Sequence, residues 1–461
     1  MKHSTPSAQR ALPNVALTAA AFAVMAIATP AFAAGSLSGW ATMPANTFAP
    51  GPTSGQFQSP ANGVTPPYID KQPVQGFSAV LNGPTAGSFY VMPDNGFGNK
   101  ANSADALLRV YAINPDFKTR AGGSGTVSAV DYQTGVKRSS FDNSTFINLR
   151  DPDGKIAFPT VASQANYPNA GGNVPVDAAI KSGRLLTGAD FDIESMRKDK
   201  NGNLWFGEEF GPFLVKTDAT GKVLRSEVGL PGVQSPSNPN LGGNTPTLND
   251  SNGFEGMAIN PAGDKLYTLL EGTVKGDAAK SLRINEFSID SEAYTGKSFL
   301  YGLDARGTNI GDMTAINDHE FLVIERDGSS GDPSGFKKIF KIDIDSIDAN
   351  GYAQKTEVVD LMHIADPFDL NGDGSNAFNF PFVTIEDVLI LDANTLMVIN
   401  DNNFPGGGGR GNGFPDATEF LKITLDQPLA ITAAVPEPET YALMLGGLGA
   451  VAWVARRRRA D

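Results

Sequence analysis

The stretch from Asp192 to Pro212, Asp192-Ile-Glu-Ser-Met-Arg-Lys-Asp-Lys-Asn-Gly-Asn-Leu-Trp-Phe-Gly-Glu-Glu-Phe-Gly-Pro212, limits the possible folds more than any other part of the chain, because it recurs. It reads as a hairpin, with a strand over 193–196, a turn at Asp199-Lys-Asn-Gly202 and a second strand over 204–207. Asn-Gly between two apolar runs is a strong hairpin signal, since glycine accepts the positive φ that the turn demands. One carboxylate, Glu194, lies on the first strand, and two more, Glu208 and Glu209, end the second.

Four other segments repeat this plan. Their two strands are read at 77–80 and 89–96, 254–259 and 266–272, 310–315 and 321–327, and 385–390 and 396–403. Each copy is followed by a third strand with a basic residue, namely Arg109, Lys216, Arg283, Lys338 or Lys422. Equivalent starts at Ser78, Glu194, Glu255, Gly311 and Glu386 lie 116, 61, 56 and 75 residues apart. Strand, turn, strand, loop, strand at such a period is the pattern of a β-propeller blade, so the expected class is all-β. The first gap is about two periods, which points to a degenerate blade within 115–185. Six blades are expected over 76–430, with five or seven also compatible with the spacing. Residues 34–75, rich in Pro, Gly, Ser and Thr, read as an irregular lead-in.

Composition narrows the function. With 36 basic and 50 acidic side chains the net charge is −14, and no basic stripe is present to meet nucleic acid phosphates. There are no cysteines, so disulfides, thiol catalysis and cysteine-bound zinc are excluded. Only three histidines are present, which argues against a histidine-rich metal site or a histidine nucleophile.

Both ends read as addresses. Residues 1–33 carry Lys2 and Arg10, an apolar run and Ala31-Phe-Ala33, the layout of a secretory signal peptide cut by signal peptidase. Residues 435–461 run from Val435-Pro-Glu-Pro-Glu439 through an apolar stretch at 441–455 to four arginines at 456–459. The stretch is shorter than the ~20 residues of a comfortable membrane span. The order closely resembles a PEP-CTERM sorting signal. That resemblance implies a Gram-negative host, transient inner-membrane anchoring through 441–455, an exosortase partner, and release or surface attachment. Losing both tags removes six basic and three acidic groups and moves the net charge from −14 to −17.

In a propeller, equivalent strand ends meet at one mouth of a central channel. Equivalence of the copies would bring together Asp94, Glu194, Glu208, Glu209, Glu255, Glu271, Asp312, Glu325, Asp327, Glu386, Asp387 and Asp401. So many carboxylates at close quarters stay ionised only if cations neutralise them. Oxygen ligands without His or Cys select Ca²⁺ or Mg²⁺, and a variable geometry favours Ca²⁺. Asp369-Leu-Asn-Gly-Asp-Gly374 is a separate candidate for a peripheral calcium loop, through Asp369, Asn371 and Asp373. Its twelfth position is Phe380, so the bidentate Glu of an EF-type loop is missing.

Six segments in order resemble the esterase-like phytase family. They are Asp94-Asn-Gly-Phe97, Asp192-Ile-Glu-Ser195, Glu209-Phe-Gly-Pro212, Phe254-Glu-Gly-Met257, Glu325-Arg-Asp327 and Asn400-Asp-Asn402. The resemblance spans about 75–425, is poor over 115–185, and implies hydrolysis of phosphoesters or esters on a propeller. Gly311 departs from the pattern, standing where two other copies carry Glu.

Three functions fit. The first is a calcium-dependent hydrolase of a small phosphorylated or ester substrate. Glu194, Glu209, Glu255 and Arg326 are its candidate catalytic residues, and Arg109, Arg283 and Lys338 its candidate phosphate clamps. The second is a non-catalytic surface or matrix propeller stiffened by calcium. The third is a calcium-dependent lactonase or carboxylesterase, with no G-x-S-x-G nucleophile elbow in the chain.

Overall fold

The structure, a computed structural model, describes residues 35–168 and 173–432, together with Met1. The expected signal peptide (Met1 aside) and sorting tail lie outside the described residues. No helix among the described residues is long and apolar enough to cross a membrane.

Each of the five repeats folds as an antiparallel sheet. The second is Ile193–Lys198, Leu204–Glu208, Phe213–Thr217 and Val228–Gly229. The third is Phe254–Ile259, Lys265–Leu270, Ser281–Ser288 and Ala293–Gly302. The fourth is Asn309–Ala315, Glu320–Arg326, Lys337–Ile347 and Ala353–Asp360. The first strands of the five sheets touch one another in sequence, and the fifth touches the first, so they close a ring. This is the connectivity of a β-propeller.

Five first strands make this ring among the described residues, where the spacing pointed to six and also allowed five. The segment read as a degenerate blade instead extends the first one. Thr126–Ala129 and Phe146–Asn148 both pair with Arg109–Asp116, the third strand of the sheet begun by Phe77–Asn82 and Phe89–Pro93. Neither piece has an apolar hairpin partner of its own, so no new sheet starts there.

The lead-in also differs from expectation. Ser36–Met43 is a regular strand with every second residue buried, and it pairs antiparallel with Thr418–Thr424. It becomes the fourth strand of the fifth repeat, after Asp387–Asp392, Thr395–Ile399 and Thr418–Thr424, and its Thr42 pairs in parallel with Thr126, which joins the first and fifth repeats in one sheet. One end of the propeller domain thereby closes the blade made by the other. Residues after it form a short pair, Phe48–Pro50 with Lys71–Pro73.

The apolar core is divided among the interfaces between neighbouring sheets. Met92 and Val110 meet Ile193 and Phe206 between the first and second. Trp205 meets Phe254 and Phe287 between the second and third, and Tyr267 meets Phe321 between the third and fourth. Leu322 meets Val388 and Leu421, and Phe420 meets Phe77, at the last two. The hairpin turn of the second sheet is fixed locally. Asp199 accepts hydrogen bonds from the amides of Asn201 and Asn203 and from Trp205 Nε1, each at 2.9 Å, while Gly202 takes a φ of +83°.

Candidate functional site

In every hairpin the beginning of the first strand and the end of the second lie side by side, so both reach the same mouth of the ring. Glu194 and Glu255 are second in their strands, and Glu386 immediately precedes its own. Asp94, Glu209, Glu271 and Asp401 follow the ends of second strands, and Arg326 ends another. All eight, with Asp192, line one cavity of about 180 Å³ that Asn95, Ser251, Thr384 and Asn403 complete.

The acids form two groups. Asp94, Asp192 and Glu194 each offer an oxygen within 4.8 Å of the other two, and Glu209, Glu255 and Glu271 do the same. Both groups are buried except Asp94, which is partly open to solvent. Asp192 Oδ1, Glu209 Oε1 and Glu255 Oε1 have no hydrogen-bond partner. Buried carboxylate oxygens in that condition are costly, and a cation relieves the cost.

Burial first, and then neighbouring negative charge, pushes these carboxyls up. Glu194 is raised by burial and by Asp192 and Glu255, and Glu209 by burial and Glu271. Glu255 is raised by burial, Glu386 and Glu271, and Asp94 by burial and Asp192. Glu386 and Asp401 are each pushed to about 8, by burial and by Asp401 and Asp94 respectively. Arg326 is the only cation lining the cavity among the described residues. Its Nη2 lies 3.2 Å from Glu386, 3.3 Å from Glu271 and 3.5 Å from Glu255. Ser78, the residue in place of Glu in the first copy, donates to Glu386 Oε2 at 3.1 Å.

Other expected ligands lie elsewhere. Glu208 turns away from its neighbour Glu209 and accepts the amides of Phe210, Gly211 and Phe213. Asp312 pairs with Arg197 at 2.9 Å and accepts the amides of Met313 and Val388. Asp387, fully buried, has two unpartnered oxygens but lies outside both acid groups. Glu325 accepts from Tyr301 and Lys355 and from the Asp304 amide. Asp327 pairs with the buried Lys337 at 3.0 Å.

The three expected phosphate clamps do not line the cavity either. Arg109 is bound to Asn148 and the Pro50 carbonyl, Arg283 to Asp277, and Lys338 to Glu357. They belong to third strands, which stand farther from the ring than the first two. In the candidate peripheral loop, Asp369 accepts the Gly374 amide, Asp373 the Ser375 amide, and the Asn371 amide group donates to Asp373. Asp192 is the cavity acid that residue matching missed. It opens the Asp192-Ile-Glu-Ser195 motif, but the matching positions of the other repeats are Gly76, Gly253, Asn309 and Thr384, so it has no acidic counterpart there.

Gly311 now has a reason. A Cβ there would lie 1.9 Å from the carbonyl oxygen of Ile385, where the fourth and fifth sheets approach each other. A side chain at this place is sterically excluded, so the fourth copy contributes no Glu.

Several solved structures resemble the chain at low identity. A luciferin-regenerating enzyme matches at 10% identity over 85% of this chain and 99% of its own, with a TM-score of 0.34. The native arabinanase of Bacillus subtilis matches at 12% identity over 76% and 94%, with a TM-score of 0.35. Regucalcin of Agrobacterium tumefaciens, described as a calcium-binding protein, matches at 10% identity over 78% and 95%, with a TM-score of 0.33. No curated protein matches the sequence. The PEP-CTERM protein-sorting motif matches residues 434–459, which marks the chain for exosortase processing and export. The phytase-like family model, described as esterase-like activity of phytase, matches residues 72–404, and the chain belongs to that family.

Proposed function

We propose that the protein is an exported, calcium-dependent hydrolase of phosphoesters or related esters, with its active site in the acid-rich cavity. The observation that carries this reading is the pair of carboxylate trios with buried, unpartnered oxygens. All six donors are carboxylates, which suits a hard divalent ion such as Ca²⁺. Asp94, Asp192 and Glu194 would hold one ion, and Glu209, Glu255 and Glu271 another. A bound ion supplies positive charge against an anionic ester and polarises it toward attack by water.

The chain's own groups do the rest. Arg326 places a side-chain cation beside both Glu255 and Glu386, where a planar guanidinium suits an oxyanion. Ser78 and Arg326 together fix the Glu386 carboxylate. Thr384 and Asn403 add neutral hydrogen-bonding groups to the wall. Hydrolysis of phytate and p-nitrophenyl phosphate by the mature chain, with chelator and with calcium restored, tests the reading. Turnover that returns with calcium supports it. Absence of turnover on both esters in calcium, by a folded protein, overturns it.

A further inference from the structure

The two trios differ in one respect. Among the described residues no Lys or Arg makes an ion pair with Asp94, Asp192 or Glu194, whereas Arg326 reaches two members of the other trio. The guanidinium is held loosely. Its contacts to Glu255, Glu271 and Glu386 are 3.5, 3.3 and 3.2 Å, longer than the usual charge-assisted hydrogen bond. Its Nε and Glu209 Oε1 are buried with no hydrogen-bond partner, and Glu255 Oε1 has none beyond the 3.5 Å ion pair to Nη2; both glutamates are more than nine-tenths buried. Donors and acceptors thus lie together without satisfying one another.

We propose that Arg326 is a resident counter-cation of the Glu209–Glu255–Glu271 trio, and that a second divalent ion enters only by displacing it. The freed guanidinium then meets the oxyanion of the substrate. Cation loading and anion binding are coupled through this one side chain, and the first trio fills without such competition. A divalent charge beside a guanidinium among buried side chains is repelled, so the two compete for the same carboxylates. Once the ion holds Glu255 and Glu271, the arginine retains only Glu386 and the Val383 carbonyl, 3.4 Å from its Nη1. The inference rests on the reading of the cavity as a divalent-cation site.

Calorimetric titration of the chelator-stripped mature chain with calcium chloride tests it, in the parent, Arg326→Gln and Glu386→Gln, each checked for folding by far-UV circular dichroism. The parent should show one tight and one weak event. Arg326→Gln should tighten the weak event at least tenfold. Glu386→Gln, which removes an anchor of the arginine but no trio member, should tighten it by a smaller factor. Inorganic phosphate should bind calcium-saturated parent at least tenfold more strongly than calcium-saturated Arg326→Gln. A weak event unchanged or weakened in the folded variants, with calcium still bound by the parent, overturns the displacement alone. Calcium bound by none of the three proteins overturns the cation reading and the displacement together. If Arg326→Gln does not fold, an unchanged or weakened second event in Glu386→Gln is enough to overturn the displacement.

Discussion

Removing divalent ions should make the propeller less stable as pH rises from 5 to 8, opposite to the usual behaviour of paired carboxylates. The perturbation is exhaustive chelation followed by dialysis into metal-free buffer. Glu386 and Asp401 are each pushed to about 8 in the folded chain, by burial first and then by a neighbouring acid. In the unfolded chain such groups titrate near ~4. Between those values the folded state holds a proton that the unfolded state has released. The stabilisation is therefore complete below ~4 and is lost as pH climbs through the folded value. Each such group costs about 1.4 kcal/mol per pH unit, so one group accounts for about 4 kcal/mol between pH 5 and 8. At about 2 °C per kcal/mol for a large domain, that is a fall of roughly 8 °C in melting temperature. Calcium binding to the ionised cluster offsets the loss by about 4 kcal/mol at a thousandfold excess over its Kd. Melting curves by circular dichroism across the pH range, with and without calcium, measure this directly. Asp401→Asn should melt higher than the parent at pH 8 without metal and alike at pH 5. A metal-free melting temperature that is flat or rises from pH 5 to 8 refutes the reasoning.

Three further outcomes follow from particular contacts. Asp312→Ala leaves Arg197 buried and uncompensated, and should cost about 3–5 kcal/mol in denaturant unfolding without altering calorimetric calcium binding. Gly311→Ala brings a Cβ to within 1.9 Å of a backbone oxygen, and should lower stability by about 2 kcal/mol or more, read as a fall in the denaturation midpoint. Glu255→Gln removes a charge from the second trio, and should cut any calcium-restored ester hydrolysis by roughly 100-fold or more while the far-UV spectrum stays that of the parent.

Much of this architecture could be read from local pattern. The turn chemistry and alternating strands of the hairpins lie within about 20 residues, so Glu194, Glu255 and Glu386 fall at matched positions in the sequence itself. The closing strand was different. Ser36–Met43 pairs with Thr418–Thr424, almost the whole length of the domain away, and sequence spacing carries no record of that partner. The gap before Glu194 reads as room for another blade because it is about two periods long, whereas Thr126–Ala129 and Phe146–Asn148 within it pair with the third strand of the first repeat. Seven of the twelve expected acids line the cavity, and two of the five that do not, Glu208 and Asp387, are kept out for a geometric reason. Glu208 and Glu209 are neighbours, as are Glu386 and Asp387, and successive side chains of an extended chain point to opposite sides. One of each pair had to leave the cavity. The basic residues of the third strands failed because a repeat shows which residues are equivalent but not how far each stands from the ring.

The division of the core explains how so unfavourable a cavity is tolerated. Five separate apolar layers join neighbouring sheets, through contacts such as Trp205 with Phe287 and Tyr267 with Phe321. None of these layers needs the axis of the ring to be apolar. The electrostatic cost of the acids is therefore confined to the mouth, where a cation can relieve it. Places where local chemistry conflicts with stability are where functional sites are to be found. The buried ion pair of Arg197 with Asp312 shows the other solution on the same inner strands: where a charge serves the structure alone, it is paired and its oxygens also take backbone amides. Asp192, Glu209 and Glu255 lack that completion, as Asp387 does outside the cavity, and it is the gathering of several such oxygens around one space that sets the cavity apart.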